Sequence, residues 1–465
     1  MVIDSQTARA RRARPGLLLM ILGGAPFLAG LDLFVVNVAF GDIATSFPGH
    51  SLADLSWILN GYAIIYAAAL IPIGRWADKV GRKRVFLLGL GLFTLASLAA
   101  AASPDPWTLV VLRLCQALGA AALTPASLGL LIHAVPPDKR AGAVRVWAAV
   151  GALASAFGPV VGGLLAELSW RWIFVINVPV GIVLLVLALR VIDDPQPGQG
   201  NSPLDPTGVA LLTVGIGALA LGLVQGRAWG WSSAGILASF AVAVVALIGF
   251  AINNARHRTP LIEPALFRVH SFTWSNVAAL LFNASFAAGL LAVILWLQNV
   301  WSYSAIQTGL AIAPGPLMVP IFALGGQAVA KRVRAGALAA VGSALWALGI
   351  AVIGLSADRQ PHYVTGVLPG WLIAGIGVGL AMPTILSSAT AHLPPTRSAT
   401  GSAIVNMTRQ IGMVLGISVL IVVLGGFAED FGHAWLAVVV IGLLAALAAP
   451  GMSSRKGVSP TSSSW

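Results

Sequence analysis

The chain has 465 residues, 58% of them hydrophobic and only 9% charged, with a mean hydropathy of +0.90. A soluble domain carries roughly 25% charged residues, so these values exclude an ordinary soluble fold and imply a membrane protein. The formal charge is +12, and the single cysteine, Cys115, rules out an internal disulfide or a multi-cysteine metal cluster.

Apolar stretches lie near 17–40, 55–74, 85–102, 107–132, 143–166, 171–191, 207–226, 232–252, 272–298, 305–329, 335–356, 366–391, 399–426 and 432–450. A helix of about 20 apolar residues crosses the hydrocarbon core, so the pattern predicts fourteen transmembrane helices. The first stretch follows a short basic tail and outruns a signal-peptide core, which makes it a retained span. The 52 glycines suit helices that pack backbone to backbone in lipid.

The loops then set the sides. With the N-terminus inside, 22 of the 27 basic residues fall on one face, among them Arg9 to Arg14, Arg75 to Arg84, Lys139 to Arg145 and Lys331 to Arg334. The acids divide evenly, and Lys and Arg set topology while Asp and Glu hardly matter. Both termini are therefore expected in the cytoplasm, in a multi-pass protein of the plasma (inner) membrane. The same bias accounts for the net charge, so nucleic-acid binding is not implied. Outer loops are too short for an attached domain.

Two polar linkers, Asp193 to Pro206 and Asn253 to His270, divide the spans as six, two and six. The expected units are an N-terminal half (1–192), linkers with two inserted helices (193–270), and a C-terminal half with a short tail (271–465). A degraded internal echo, GRWADKVGRKR (74–84) against GQAVAKRVRAG (326–336), supports the plan. Parallel six-helix halves around a central site describe one large class of secondary transporter.

Several strings, each on its expected span, resemble the major facilitator superfamily, specifically its fourteen-helix drug:proton antiporter branch. They are GRWADKVGRKR (74–84), RLCQALGAA (113–121), GPVVGG (158–163), LDLFVVNVAF (31–40), WRWIFVINVP (170–179), LDPTG (204–208), PLIEPALFR (260–268) and NMTRQIGMVLG (406–416). Two departures are Ala117, where glycine is usual, and Phe34, where a small hydroxyl residue is common. The resemblance implies an all-α integral membrane fold of the major-facilitator type, two six-helix bundles plus two inserted helices. It also implies a cytoplasmic latch built on Gly74, Asp78, Gly81 and Arg82, with Asp78 directed at the start of the thirteenth helix. An anion at a helix N-terminus is favoured by roughly 0.3–1 kcal/mol, which suits a latch that must also open. In GPVVGG, Pro159 removes a backbone donor while Gly158, Gly162 and Gly163 offer a smooth face. The resemblance makes this an antiporter hinge; ordinary helix packing is the other reading.

Ionisable groups deep in a membrane are functional hypotheses by default. Asp32 lies about 12 Å below the outer end of the first helix and Arg113 about 9 Å below that of the fourth, so the two can pair. Burial and a guanidinium act on a carboxyl in opposite directions, so small rearrangements could load or release a proton. The pair could instead only fix the packing of helices 1 and 4. Arg409, near mid-membrane, finds no matching acid. It either favours neutral, zwitterionic or anionic amphiphiles or simply bonds to helix carbonyls and Asn406. Candidate cavity walls are Asn37, Trp57, Asn60, Tyr62, Tyr66, Gln116, Asn276, Asn283, Trp296, Gln298, Asn406 and Arg409.

The leading expectation is a proton-coupled exporter of small amphiphiles, working by alternating access as a monomer and powered by the proton gradient without a cofactor. Proton-coupled uptake and a non-transporting sensor or scaffold are the alternatives. An enzyme is not expected: no nucleophile–base set, HExxH metal spacing or Walker-type phosphate loop occurs.

Overall fold

The computed structural model describes residues 15–136, 139–193, 205–330, 332–391, 393, 397–425 and 431–453. The N-terminal arginines 9 to 14, residues 194–204 of the first linker, Lys331, and the tail with Arg455 and Lys456 lie outside the described residues.

Among the described residues the chain is all-helical. The long helices are α1 (Pro15–Val38), α2 (Trp57–Val80), α3 (Arg82–Ala101), α4 (Pro106–Ala134), α5 (Arg140–Leu168), α6 (Asn177–Val191) and α7 (Pro206–Trp229). They continue with α8 (Ala234–Arg256), α9 (His270–Leu295), α10 (Ala305–Ile312 extended by Pro314–Ala330), α11 (Ala335–Ser356), α12 (Leu368–Ala391), α13 (Ser398–Leu424) and α14 (Phe431–Ala448). Thirteen of these segments are long and apolar enough to cross a bilayer. The remaining one, α5, is a helix of 29 residues whose described apolar part is Phe157–Leu168. At about 1.5 Å per residue it also exceeds a hydrocarbon core of about 30 Å.

Local chemistry sets the ends. The span expected over 55–74 runs on to Val80, because the polar GRWADKV string continues the helix until Gly81 breaks it at φ +109°. Asp105 caps α4 by accepting from the amides of Trp107 and Thr108, with Pro106 at the first helical position. Asp205 caps α7 in the same manner through Gly208 N, and its carboxylate also accepts from Asn253 Nδ2 at 2.9 and 3.1 Å. That residue lies near the end of α8, so one buried acid fastens both ends of the α7–α8 hairpin. Asp205→Ala is expected to destabilise the protein by about 1–2 kcal/mol, read as a lowered thermal midpoint in detergent.

The helices associate in two groups. In the first, α1 packs on α5, α4 and α6, and α3 and α2 pack on α4. In the second, α11 packs on α12 and α14, α9 on α13, α14 and α12, and α10 on α12. Helices α7 and α8 lie against each other, and α7 also reaches α2 and α13.

The groups meet along α2–α13 and α5–α10. The α5–α10 seam lies on the face opposite the basic loops and is made of backbone. A Cβ added at Gly163 would stand 2.5 Å from Ala305 O, and one at Gly309 would stand 2.3 Å from Pro159 O. Beside it, Gln298 Nε2 donates to Val38 O at 2.8 Å. On the basic face the second linker bridges the groups. Arg75 donates to Pro260 O at 2.7 Å and Thr259 O at 3.3 Å, and Glu263 pairs with Arg397 at 3.5 Å.

Candidate functional site

Three charged side chains are buried among the described residues: Asp32, Arg113 and the cap Asp205. Asp32 and Arg113 form a buried salt bridge between Oδ2 and Nη1, as their depths along α1 and α4 predict. Arg113 Nη1 also donates to Gln116 Oε1 at 2.7 Å, one turn along α4. The other carboxylate oxygen, Oδ1, accepts from Gln116 Nε2 at 2.7 Å and from Asn177 Nδ2 at 3.0 Å. Both amides also donate to Ser97 Oγ, at 3.2 and 3.0 Å, and that hydroxyl donates to Phe174 O at 2.9 Å. The guanidinium lies over the Tyr62 ring, 4.1 Å from its centroid, with Phe174 at 6.0 Å.

The result is a closed polar knot from five helices of the first group. A buried carboxylate needs compensation for lost hydration, and here three N–H groups supply it. Arg113 Nη2, Tyr62 Oη and Asn177 Oδ1 are buried with no hydrogen-bond partner among the described residues. Ser97, Asn177 and Phe174 were not singled out from the sequence. The available signal was the polar Asn177 inside the otherwise apolar string FVINVP.

A second polar group lies in α9 and α13. Arg409 donates through Nη1 to Asn406 Oδ1 at 3.0 Å and through Nε to Asn283 Oδ1 at 3.4 Å. The two amides are tethered to their own helices, Asn406 Nδ2 to Ser402 O and Asn283 Nδ2 to Ala279 O. Tyr66 of α2 lies near Arg409, and its hydroxyl shares a 3.0 Å hydrogen bond with Thr124 of α4. Asn276 accepts from Thr408 at 2.9 Å, one more α9–α13 tie.

Not every expected cavity residue joins these groups. Gln116 belongs to the Asp32 knot. Trp296 packs into an aromatic cluster with Phe431 and Trp435, at centroid distances of 5.0 and 6.1 Å. Gln298 belongs to the seam, and Asn37 turns its amide to Leu33 O on its own helix. Asn60 is buried with neither amide atom bonded, and Trp57 is half-buried at the start of α2.

In the 74–84 loop, Asp78 pairs with Arg82 at 2.8 Å, and Arg82 Nη1 donates to Gly129 O at 2.9 Å. Asp78 is 52% exposed, and the acid that engages Arg397, just before α13, is Glu263. Gly74 rests against Pro125. In GPVVGG, Gly158 and Gly162 face Phe34 and Val35 of α1, while Gly163 faces α10.

Comparison with known proteins bears on this arrangement. A family model described as the Major Facilitator Superfamily matches residues 22–417. The cephamycin export protein of Amycolatopsis lactamdurans is 33% identical, covering 96% of this chain and 94% of that protein. The methylenomycin A resistance protein of Streptomyces coelicolor is 32% identical over the same shares. Among solved structures, a POT family transporter in complex with a thioalcohol-conjugated peptide superposes with a TM-score of 0.70 at 16% identity, covering 94% of this chain and 97% of that one; this likeness concerns the fold alone.

Proposed function

The chain belongs to the major facilitator superfamily, and from that premise we propose that it exports a small amphiphilic compound in exchange for protons. The names of its relatives, a cephamycin exporter and a methylenomycin A resistance protein, support export of an antibiotic-like molecule. The observation that carries proton coupling is the buried Asp32–Arg113 knot, since Arg113 cannot give up its proton and Asp32 can. As an exporter of this family it needs no cofactor, and it draws its energy from the proton gradient.

The basic face is cytoplasmic, with both termini inside and the protein acting as a monomer in the plasma membrane. Residues 1–192 and 271–465 rock against each other, and the hairpin of α7 and α8, within 193–270, lies alongside. Closure of the α5–α10 seam seals the outer side. Its opening lets a proton reach Asp32, and the displaced N–H donors of Gln116 and Asn177 carry the change into α4 and α6. Gly74, Asp78, Gly81 and Arg82 latch the inner side. To latch, Asp78 exchanges Arg82, its partner here, for the start of α13.

The test uses everted vesicles containing the protein and an imposed proton gradient. Accumulation of substrate against its gradient, with protons moving the other way, is expected. Movement of both in the same direction would make the protein an uptake system instead. Asp78→Asn is expected to slow transport about two- to fivefold, as loss of roughly 0.3–1 kcal/mol from the latched state would do, while equilibrium substrate binding stays unchanged.

A further inference from the structure

Arg409 is a cation without an acid. None of the described carboxylates pairs with it, and its two hydrogen bonds go to neutral amide oxygens. It is half-buried, and its remaining terminal nitrogen, Nη2, makes no hydrogen bond among the described residues and is not among their enclosed unbonded polar atoms. Arg113 differs on each count: it is fully buried, paired, and its spare nitrogen is enclosed.

A guanidinium deep in a membrane needs compensation, and the Asp32 carboxylate provides it for Arg113. For Arg409 the chain provides amides that aim their oxygens at Nε and Nη1 and leave Nη2 without an amide partner. Asn406 and Asn283 are each anchored to a backbone carbonyl, so the arginine is held rather than floating. On the other side of the interface between the two groups of helices stand Tyr66 and Thr124, with hydroxyls that already share a hydrogen bond. The site therefore joins one fixed positive charge, neutral hydrogen-bonding groups, and elements from both sides of the interface.

We infer that Arg409 is the anchor for an anionic group on the substrate, and that the cargo is an amphiphile bearing one carboxylate. A planar carboxylate matches the guanidinium edge, and a monoanion neutralises the single charge, whereas a dianion such as a phosphate monoester would leave an excess. The ligand would bind between α2 and α13, helices from opposite groups, so its departure is coupled to their separation. This assignment rests on the transport reading above for its consequence, while binding itself does not depend on transport.

The experiment measures equilibrium binding of dansylglycine and of its neutral methyl ester to the purified protein by fluorescence. The wild type is expected to prefer the acid by about tenfold or more, as a charge-assisted hydrogen bond would give. Arg409→Gln is expected to remove the preference by weakening the acid alone, and Arg409→Lys to retain part of it. Equal affinity of wild type for acid and ester would overturn the inference, as would an unchanged preference in Arg409→Gln. The wild-type comparison keeps the test decisive if the glutamine variant folds poorly. Proton-driven export of the ester at the rate of the acid, with equal affinities, would sink the anion site and leave the exporter standing. Acid-selective binding without proton-driven movement would do the reverse.

Discussion

Asp32→Asn reduces proton-driven export in everted vesicles to the level of empty vesicles, while exchange of labelled for unlabelled substrate continues. The asparagine keeps the shape of the aspartate but cannot carry a proton away. Exchange needs only that the two halves rock with cargo bound, so the two readouts separate coupling from binding. The substitution also leaves Arg113 buried without its counter-charge, and breaking such a pair costs about 3–5 kcal/mol. Part of that loss comes from Gln116 and Asn177, whose N–H donors would then face an amide in place of a carboxylate. The double variant Asp32→Asn with Arg113→Gln removes the stranded charge and is expected to recover folded protein, seen in size-exclusion profiles and thermal midpoint. It recovers no proton-driven export. Full pH-gradient-driven accumulation by the single variant would show that the pair is only a brace between α1 and α4.

How far this site could be read in advance depended on the kind of signal each residue leaves. Asp32 and Arg113 are expensive in a span, and counting residues from the span ends put them at matching depth, so their pairing was legible. The fourteen spans were legible for the same reason, since length and apolarity register along one dimension. Ser97 and Asn177 were not, because a small hydroxyl or amide is at home in any membrane helix. Their role depends on α3 and α6 lying beside α1, a neighbourhood that no spacing encodes. Trp296 and Gln298 are expected at the cavity as polar or aromatic residues of an apolar span, but the turn after α9 directs one toward α14 and the other toward α1. The same limit applies to Asp78, whose partner in this conformation is a residue four positions away rather than the start of α13.

Azimuth also decides which glycines of GPVVGG matter for movement, and this yields the second large effect. Gly158 and Gly162 touch α1, a neighbour within the first group; a Cβ there would meet Phe34 Cβ at 2.4 Å and Val35 Cα at 3.0 Å. Gly163 touches α10, across the interface, where a Cβ would meet Ala305 O at 2.5 Å and Ile306 Cα at 2.9 Å. Both obstacles at Gly163 are backbone, so no rotamer change relieves them and the helices must part. Overpacking of this kind costs about 1–3 kcal/mol, which shifts a two-state ratio about 5- to 150-fold. Gly163→Val is therefore expected to depopulate the state in which α5 and α10 meet and to lower transport by a similar factor. Spin labels on cysteines at Leu168 and Leu310, both exposed, report the opening after Cys115 is replaced by serine. Their distance distribution should move to longer values in Gly163→Val. In Gly158→Ala it should stay in place while the thermal midpoint falls, because that clash lies inside one group. An unchanged distribution in Gly163→Val would mean that the α5–α10 seam is a bystander and that the outer seal is made elsewhere, with Gln298 on Val38 the next contact to break.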